Sequence, residues 1–506
     1  MRETIPAPFD ARQGTFARFG LPLTIGAVGL ASVALLIASG NPALALAPVG
    51  LAAFVAFLFH VPLRWSAAGL VLAIFVLDET QEAVGQWQTP LAKLGDILLY
   101  RIDSTIPVPA GFLSGMEIMA IVLLAIRAHR LASRSELDES GRVVTPRITR
   151  ELLWISFAGV ALAEAYGMAR GFSAVPYKLK YLLDPLLLTA AFLAAFRGPS
   201  DAILIGKIIV FAAGAKGILA VIVQQIAKAE TGGMFASAVS HGDSILFSIG
   251  AALIILWLVE APRRGRLIPA LALLAPIIAG SFQNNRRLVW VMLAMSLLVA
   301  YLIRPLTGWQ RMLTKAALVS IPIALLYVAL GWNSSSKVFA PVVTLRSVSD
   351  PGHDSSAYWR EVEIWNISTS MRQNSIMGMG LGGEYTEYMF NDDISEGTDG
   401  YKEYKEWPHN TVLGLLMLMG LFGFTTQWIL FPAILFLAIR SYWLGRSADE
   451  RMVALGCIVA VVGCLVMAWG DTGAHYIQFK VALALAFAFA SKLAIQTGAW
   501  PMDRSA

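Results

Sequence analysis

Charge is what this 506-residue chain has least of: Asp, Glu, Lys and Arg together make up 14% of it, against 57% apolar residues. Soluble domains carry about 25% charged residues, and the mean hydropathy here is +0.64, which excludes an ordinary soluble protein. Cysteine is almost absent. The two present, Cys457 and Cys464, stand seven residues apart in one apolar run, so a helix would separate them by about 10 Å, too far for a disulfide. Histidine is scarce as well, with six in all, and no two have a ligand spacing such as HxxxH, so no metal site is expected. The chain has no soluble domain, internal repeat or low-complexity tract, and no cleavable-signal pattern: Met1 to Gly20 is polar, and the first apolar run continues to membrane-spanning length.

What the chain has instead is a succession of apolar runs of about 16–25 residues, each able to cross a hydrocarbon core of about 30 Å. They begin at 19–39 and end at 477–496, and one, 410–439, is long enough to be tilted or broken. The expected fold class is an all-α polytopic membrane protein with about 12–14 transmembrane helices. Arginine clusters between the runs set its orientation. Arg127 to Arg150, Arg263 to Arg266, Arg304 to Lys315 and Arg440 to Arg451 fall on the side of the N-terminal tail, which the positive-inside rule makes cytoplasmic. Both termini are then cytoplasmic, the basic balance reports topology and not nucleic-acid binding, and in a bacterial inner membrane the segment 333–408 is periplasmic. Three regions follow: an N-terminal bundle over 1–332, the loop 333–408, and C-terminal spans over 409–506.

The loop holds six Lys/Arg against twelve Asp/Glu. Within it, Tyr358 to Trp365 reads as a helix capped by Asp354, Ser355 or Ser356. Arg360, Ile364, Ile367 and Met371 lie on one face, and Tyr358, Val362 and Trp365 on another, so this helix should pack against the membrane surface. Arg360 in its first turn opposes the helix dipole, a local conflict typical of functional sites. Asn284-Asn285-Arg286-Arg287 precedes an outward-pointing helix N-terminus, where an Asn cap, free N–H groups and two guanidinium forks make an anion site. His409 follows Pro408 at the start of the next span, where the dipole opposes a positive ring and a neutral imidazole could take a proton from a sugar hydroxyl. Arg170, Lys178 and Lys180 add positive charge on the same side. The glycine cluster Gly378, Gly380, Gly382 and Gly383 has no preceding strand and no P-loop lysine; it reads as a turn that brings the loop backbone close to a ligand or to the membrane, not a nucleotide loop.

Taken in order, Arg286/Arg287, Trp359-Arg360-Glu361 to Trp365, Gly378-Met379-Gly380-Leu381-Gly382 and Pro408-His409-Asn410-Thr411, with Leu413, Gly420 and Gly423, resemble the bacterial O-antigen ligase and polymerase family. The likeness is clearest from about 280 to 430; the N-terminal half matches only as a hydrophobic topology. The resemblance implies a glycosyltransferase of the membrane-embedded C type that needs no metal or other cofactor. It would move a glycan from an undecaprenyl-diphosphate carrier to an acceptor sugar hydroxyl, on lipid A-core or on a growing polysaccharide. Carried over residue by residue, Arg287 or Arg286 and Arg360 would grip the diphosphate, with Lys180 and Arg170 adding substrate-binding charge, and His409 would activate the acceptor. The double arginine departs from the family's single-arginine pattern.

Two other classes are open to the sequence. A metal-dependent enzyme acting on a lipid monophosphate sugar would use the acidic pair Asp78-Glu79. A transporter or flippase for lipid-linked sugars would use the intramembrane charges Glu164, Asp184, Lys207 and Lys216.

Overall fold

The computed structural model describes residues 25–34, 36–37, 46–77, 92–100, 113–133, 145–173, 175–233, 238–261, 264–305, 308–334, 355–389 and 405–501, with residues 40, 102, 339, 342 and 346 singly. Among the described residues the chain is helical throughout, without a strand. The longer helices are α1 (Ala47–His60), α2 (Leu63–Val76), α3 (Gly115–Ala132), α4 (Arg147–Ala169), α5 (Val175–Ala195), α6 (Pro199–Thr231), α7 (Asp243–Glu260) and α8 (Leu267–Gln283). They continue as α9 (Arg287–Ile303), α10 (Gly308–Gly331), α11 (Ser355–Met371), α12 (Thr411–Trp428), α13 (Leu430–Leu444), α14 (Ala448–Gly470) and α15 (Ile477–Thr497).

Six of the described helices are long and apolar enough to cross a membrane: α4, α6, α7, the α12–α13 run, α14 and α15. This is the architecture of a multi-pass helical membrane protein. Six further apolar helices, among them α1, α2, α8 and α9, have described apolar stretches of 10–17 residues.

The bundle is organised around α15, in which every residue from Ile477 to Ala494 is buried. It packs against α5, α13 and α14, and α14 in turn against α7 and α9. Three lysines form ion pairs inside the bundle, as an apolar interior favours: Lys480 Nζ lies 2.8 Å from Asp184, Lys216 Nζ 3.4 Å from Asp243, and Lys180 Nζ 2.9 Å from Glu117. Two helix starts carry reciprocal capping boxes, Ser114 with Glu117 and Ser447 with Glu450, each satisfying two orphan donors.

The arginine clusters meet at one end of the bundle. There the buried Glu260, last residue of α7, accepts hydrogen bonds from Arg304 Nε (2.7 Å), Arg451 Nε (3.3 Å) and the Tyr442 hydroxyl (3.2 Å). Arg130 Nη2 donates to the carbonyls of Leu58, Phe59 and Val61, closing the C-terminus of α1. Helix α7 spans from this knot to the opposite end, about 26 Å away at 1.5 Å per residue, where the candidate site lies.

The over-long run 410–439 is broken, as its length suggests. Helix α12 has non-helical φ/ψ at Gly420 (φ 62°, ψ −173°), a region only glycine enters at low cost. The break frees backbone groups that water cannot satisfy in a membrane, and the glycine turn of the loop supplies their partners. Met379 N–H donates to Met417 O (2.8 Å) and Gly380 N–H to Leu418 O (2.9 Å); Leu421 N–H donates to Ser375 O (2.8 Å) and Phe422 N–H to Ile376 O (3.2 Å). Gly378 and Gly380 have positive φ, and a Cβ on Gly420 would lie 2.2 Å from Ile376 O. The close-approach turn read from the sequence is therefore a seam of loop against broken helix.

On helix α11, Val362 and Ile367 are buried together with the polar Glu363, Asn366 and Ser370, while Tyr358, Ile364 and Trp365 lie on the surface. Asn366 accepts from Tyr388 N–H and Met389 N–H and donates to Met389 O, and Ser370 Oγ accepts from Thr386 N–H. These side chains satisfy the irregular backbone of 386–389.

Candidate active site

The second half of the loop brings α11 onto the start of α12, where Asn410 Oδ1 caps the helix by accepting from Leu413 N–H at 3.0 Å. This fixes His409, the residue before the cap. Glu363, buried on α11, accepts from His409 N–H at 3.2 Å, and the same Oε1 stands 3.2 Å from His409 Nδ1. The imidazole is thus oriented by a buried carboxylate; with the proton on Nδ1 it donates to Glu363, and Nε2 keeps its lone pair.

The N-terminus of α9 corrects a sequence expectation. Neither asparagine caps it: the cap position is Arg286, with no side-chain cap hydrogen bond, and Asn285 turns the chain with φ 50°. Asn284 is buried and faces the segment before α7. Its Oδ1 accepts from Val239 N–H (3.3 Å), and its Nδ2 donates to Ser240 O (3.3 Å) and Ser244 Oγ (3.4 Å). That segment carries His241. The sequence places Arg286 and His241 some forty residues apart; Asn284 ties their turns together.

His241 lies among the charges the sequence selected. Burial first, then the Arg286 guanidinium, then His409 and Arg360, push its pKa down to about 4, with Asp471 pulling the other way. Arg286, Arg360 and His409 therefore all lie within electrostatic reach of one ring. His241 Nδ1 is 3.2 Å from the Tyr476 hydroxyl and 3.9 Å from Asp471 Oδ2, and the Tyr476 hydroxyl donates to Asp471 Oδ1 at 3.4 Å. Asp471 is itself held by Thr472 N–H at 2.8 Å. The turn between α14 and α15 thereby joins the site.

Beside His409, the Trp407 ring packs on Tyr181 (centroids 4.7 Å apart), and Tyr181 on His475 (5.0 Å). Lys178 lies 3.2 Å from Glu406 and over the Tyr181 ring. Two buried polar atoms, Nε1 of Trp407, which precedes His409 by two residues, and Oε2 of Glu363, have no hydrogen-bond partner within the protein. Leaving such groups bare costs about 1–3 kcal/mol each, so a ligand or water is expected on them.

The remaining residues selected from the sequence are placed as follows. Arg287 is exposed on the first turn of α9, next to Arg286. Lys180 is held by Glu117 and donates to Tyr100 O at 3.4 Å. Arg170, exposed after α4, donates to the Tyr166 hydroxyl at 3.3 Å, and the same hydroxyl accepts from Asn374 Nδ2 at 3.0 Å, which puts Arg170 beside the glycine turn and not beside His409. The acidic pair Asp78-Glu79 and the residues His353 and Asp354 lie outside the described residues. Among the described residues no three His, Cys, Asp or Glu side chains are grouped so as to hold a metal ion.

No family model and no curated protein matches the chain. Its function is therefore read from the site alone. Glu363, Tyr476 and Trp407 carry no individual signal in the sequence. His241 and Asp471 sit at the ends of apolar runs, where an isolated ionisable residue is a usable clue.

Proposed function

We propose that the protein is a membrane glycosyltransferase of the O-antigen ligase or surface-polysaccharide polymerase type. It takes a glycan from an undecaprenyl-diphosphate carrier and passes it to an acceptor sugar hydroxyl at the periplasmic face of a bacterial inner membrane. The observation that carries this reading is the convergence of His409, Arg286 and Arg360 at one end of a membrane bundle, with His409 oriented by Glu363.

In this reading the acceptor hydroxyl gives its proton to His409 Nε2 as its oxygen forms the new bond to the anomeric carbon of the glycan. The bond from that carbon to the diphosphate breaks, and the electron pair leaves with the diphosphate. Arg286, Arg360 and the uncapped N–H groups of α9 neutralise the charge that builds there. Glu363 stabilises the imidazolium formed on His409 and fixes its tautomer, the role a buried carboxylate has beside a catalytic histidine. Trp407 Nε1 and Glu363 Oε2 supply one donor and one acceptor, which suits a hydroxylated acceptor because a hydroxyl both gives and takes a hydrogen bond. Asp184 and Lys216, which a transport reading would use, are each engaged in a buried ion pair.

The test is transfer itself. His409→Ala and Arg360→Ala proteins that insert normally should each fail to join glycan to acceptor in proteoliposomes. Transport of the carrier without bond formation, unaffected by His409→Ala, would replace this reading with a flippase.

A further inference from the structure

A cavity of ≈ 430 Å³ runs between α6, α7, α14 and α15. Along α7 its wall extends from Ile245 to Trp257, twelve residues or about 18 Å at 1.5 Å per residue. That length and the apolar lining suit an extended hydrocarbon chain. The wall is apolar nearly throughout, and it is open towards the bilayer where Phe211 and Leu273 are exposed.

The two ends differ. At the far end stand Lys207 and Asp449, both exposed. At the near end stands Gln478, which is 3% exposed. Its Nε2 donates to Asp243, and its Oε1 has no partner in the protein. Gln478 lies two residues from Tyr476 and packs so closely against Gly242, the neighbour of His241, that a Cβ there would come 2.1 Å from Gln478 Oε1. The cavity therefore ends against the shell that holds His241 and Asp471.

The geometry points to this cavity as the seat of the donor lipid's hydrocarbon tail, entered sideways from the bilayer, with the head group delivered to the His241, Arg286 and His409 end. This rests on the proposed transferase reading, which makes a lipid carrier the substrate. Continuity with the site favours the carrier over a bilayer phospholipid, because a chain lying along α7 with its head at the Gln478 end brings the phosphates to the arginines.

Gly206 offers a clean block. It lines the cavity, its backbone is helical, and a Cβ there meets nothing within 4 Å, so a larger side chain can start from this wall without a clash at its Cβ. The probe is undecaprenyl phosphate added to purified protein in detergent together with phosphatidylglycerol, with bound lipid counted by native mass spectrometry. The wild type should retain one undecaprenyl phosphate. Gly206→Phe should lower that occupancy by about 10-fold or more, since each chain carbon kept out forfeits apolar burial. Gly206→Ala, too small to block, should keep it. Equal binding by wild type and Gly206→Phe overturns the assignment, as does retention of phosphatidylglycerol in place of undecaprenyl phosphate. If Gly206→Phe loses the lipid while His409→Ala still transfers glycan, the seat stands and the transferase mechanism falls.

Discussion

Gly420→Ala tests how the loop is held to the bundle. The native φ/ψ at this residue is closed to alanine, at a strain of about 1–3 kcal/mol. The added Cβ would sit 2.2 Å from Ile376 O and 2.5 Å from Gly378 N, both backbone atoms that no rotamer change can move. Relief requires the seam to open, and with it the four hydrogen bonds between 375–380 and 417–422, at about 1 kcal/mol each. The total is about 5 kcal/mol, released locally and not in the α14–α15 core. Hydrogen exchange read by mass spectrometry should show amides 379, 380, 421 and 422 losing protection, while α15 keeps its own. Glycan transfer should fall although His409, Arg286 and Arg360 are untouched, because α11 loses its footing. Gly69→Ala, in α2 with nothing within 4 Å of the new Cβ, is the control and should change neither. Unaltered protection at 379 and 421 in Gly420→Ala would refute the seam as the loop's anchor.

Three further outcomes are expected. His241 has its native pKa held near 4 against an ordinary 6.5, so between those values the unfolded chain binds a proton that the native chain does not. Stability should therefore be complete above about pH 6.5 and fall as pH drops towards 4, by about 1–2 kcal/mol after discounting for solvent screening of a partly exposed ring; thermal unfolding at pH 4.5 and 7 checks this, and His241→Gln should remove that part of the dependence. Glu363→Gln should lower turnover by about 10–100-fold with donor KM little changed, since it removes the charge that orients His409 and not a contact to the carrier. Asp184→Leu alone should cost about 3–5 kcal/mol by stranding Lys480 in the core, whereas Asp184→Leu with Lys480→Met should recover most of it, as read from denaturant unfolding of the solubilised protein.

What was legible in the sequence followed from local rules. Apolar runs marked the helices, the excess length of 410–439 announced the break in α12, and the glycine cluster announced a close approach. The pair Arg286/Arg287, Arg360 and His409 could be selected because each is an expensive group at the end of an apolar run or helix, although which arginine of the pair acts was not legible. The partners were hidden for a physical reason. Glu363 reaches His409 across 46 residues of chain, and its role depends on which side of α11 turns inward, where Asn366 and Ser370 hold the backbone of 386–389. His241, Asp471 and Tyr476 meet only once α7, α14 and α15 have packed.

The most direct measurement is complementation of a strain lacking the gene with His409→Ala and Arg360→Ala, read on a gel that separates lipopolysaccharide from free polysaccharide and paired with a membrane immunoblot. The account predicts both proteins in the membrane at wild-type levels and no transferred glycan on the gel. Full glycan transfer by both variants would contradict it.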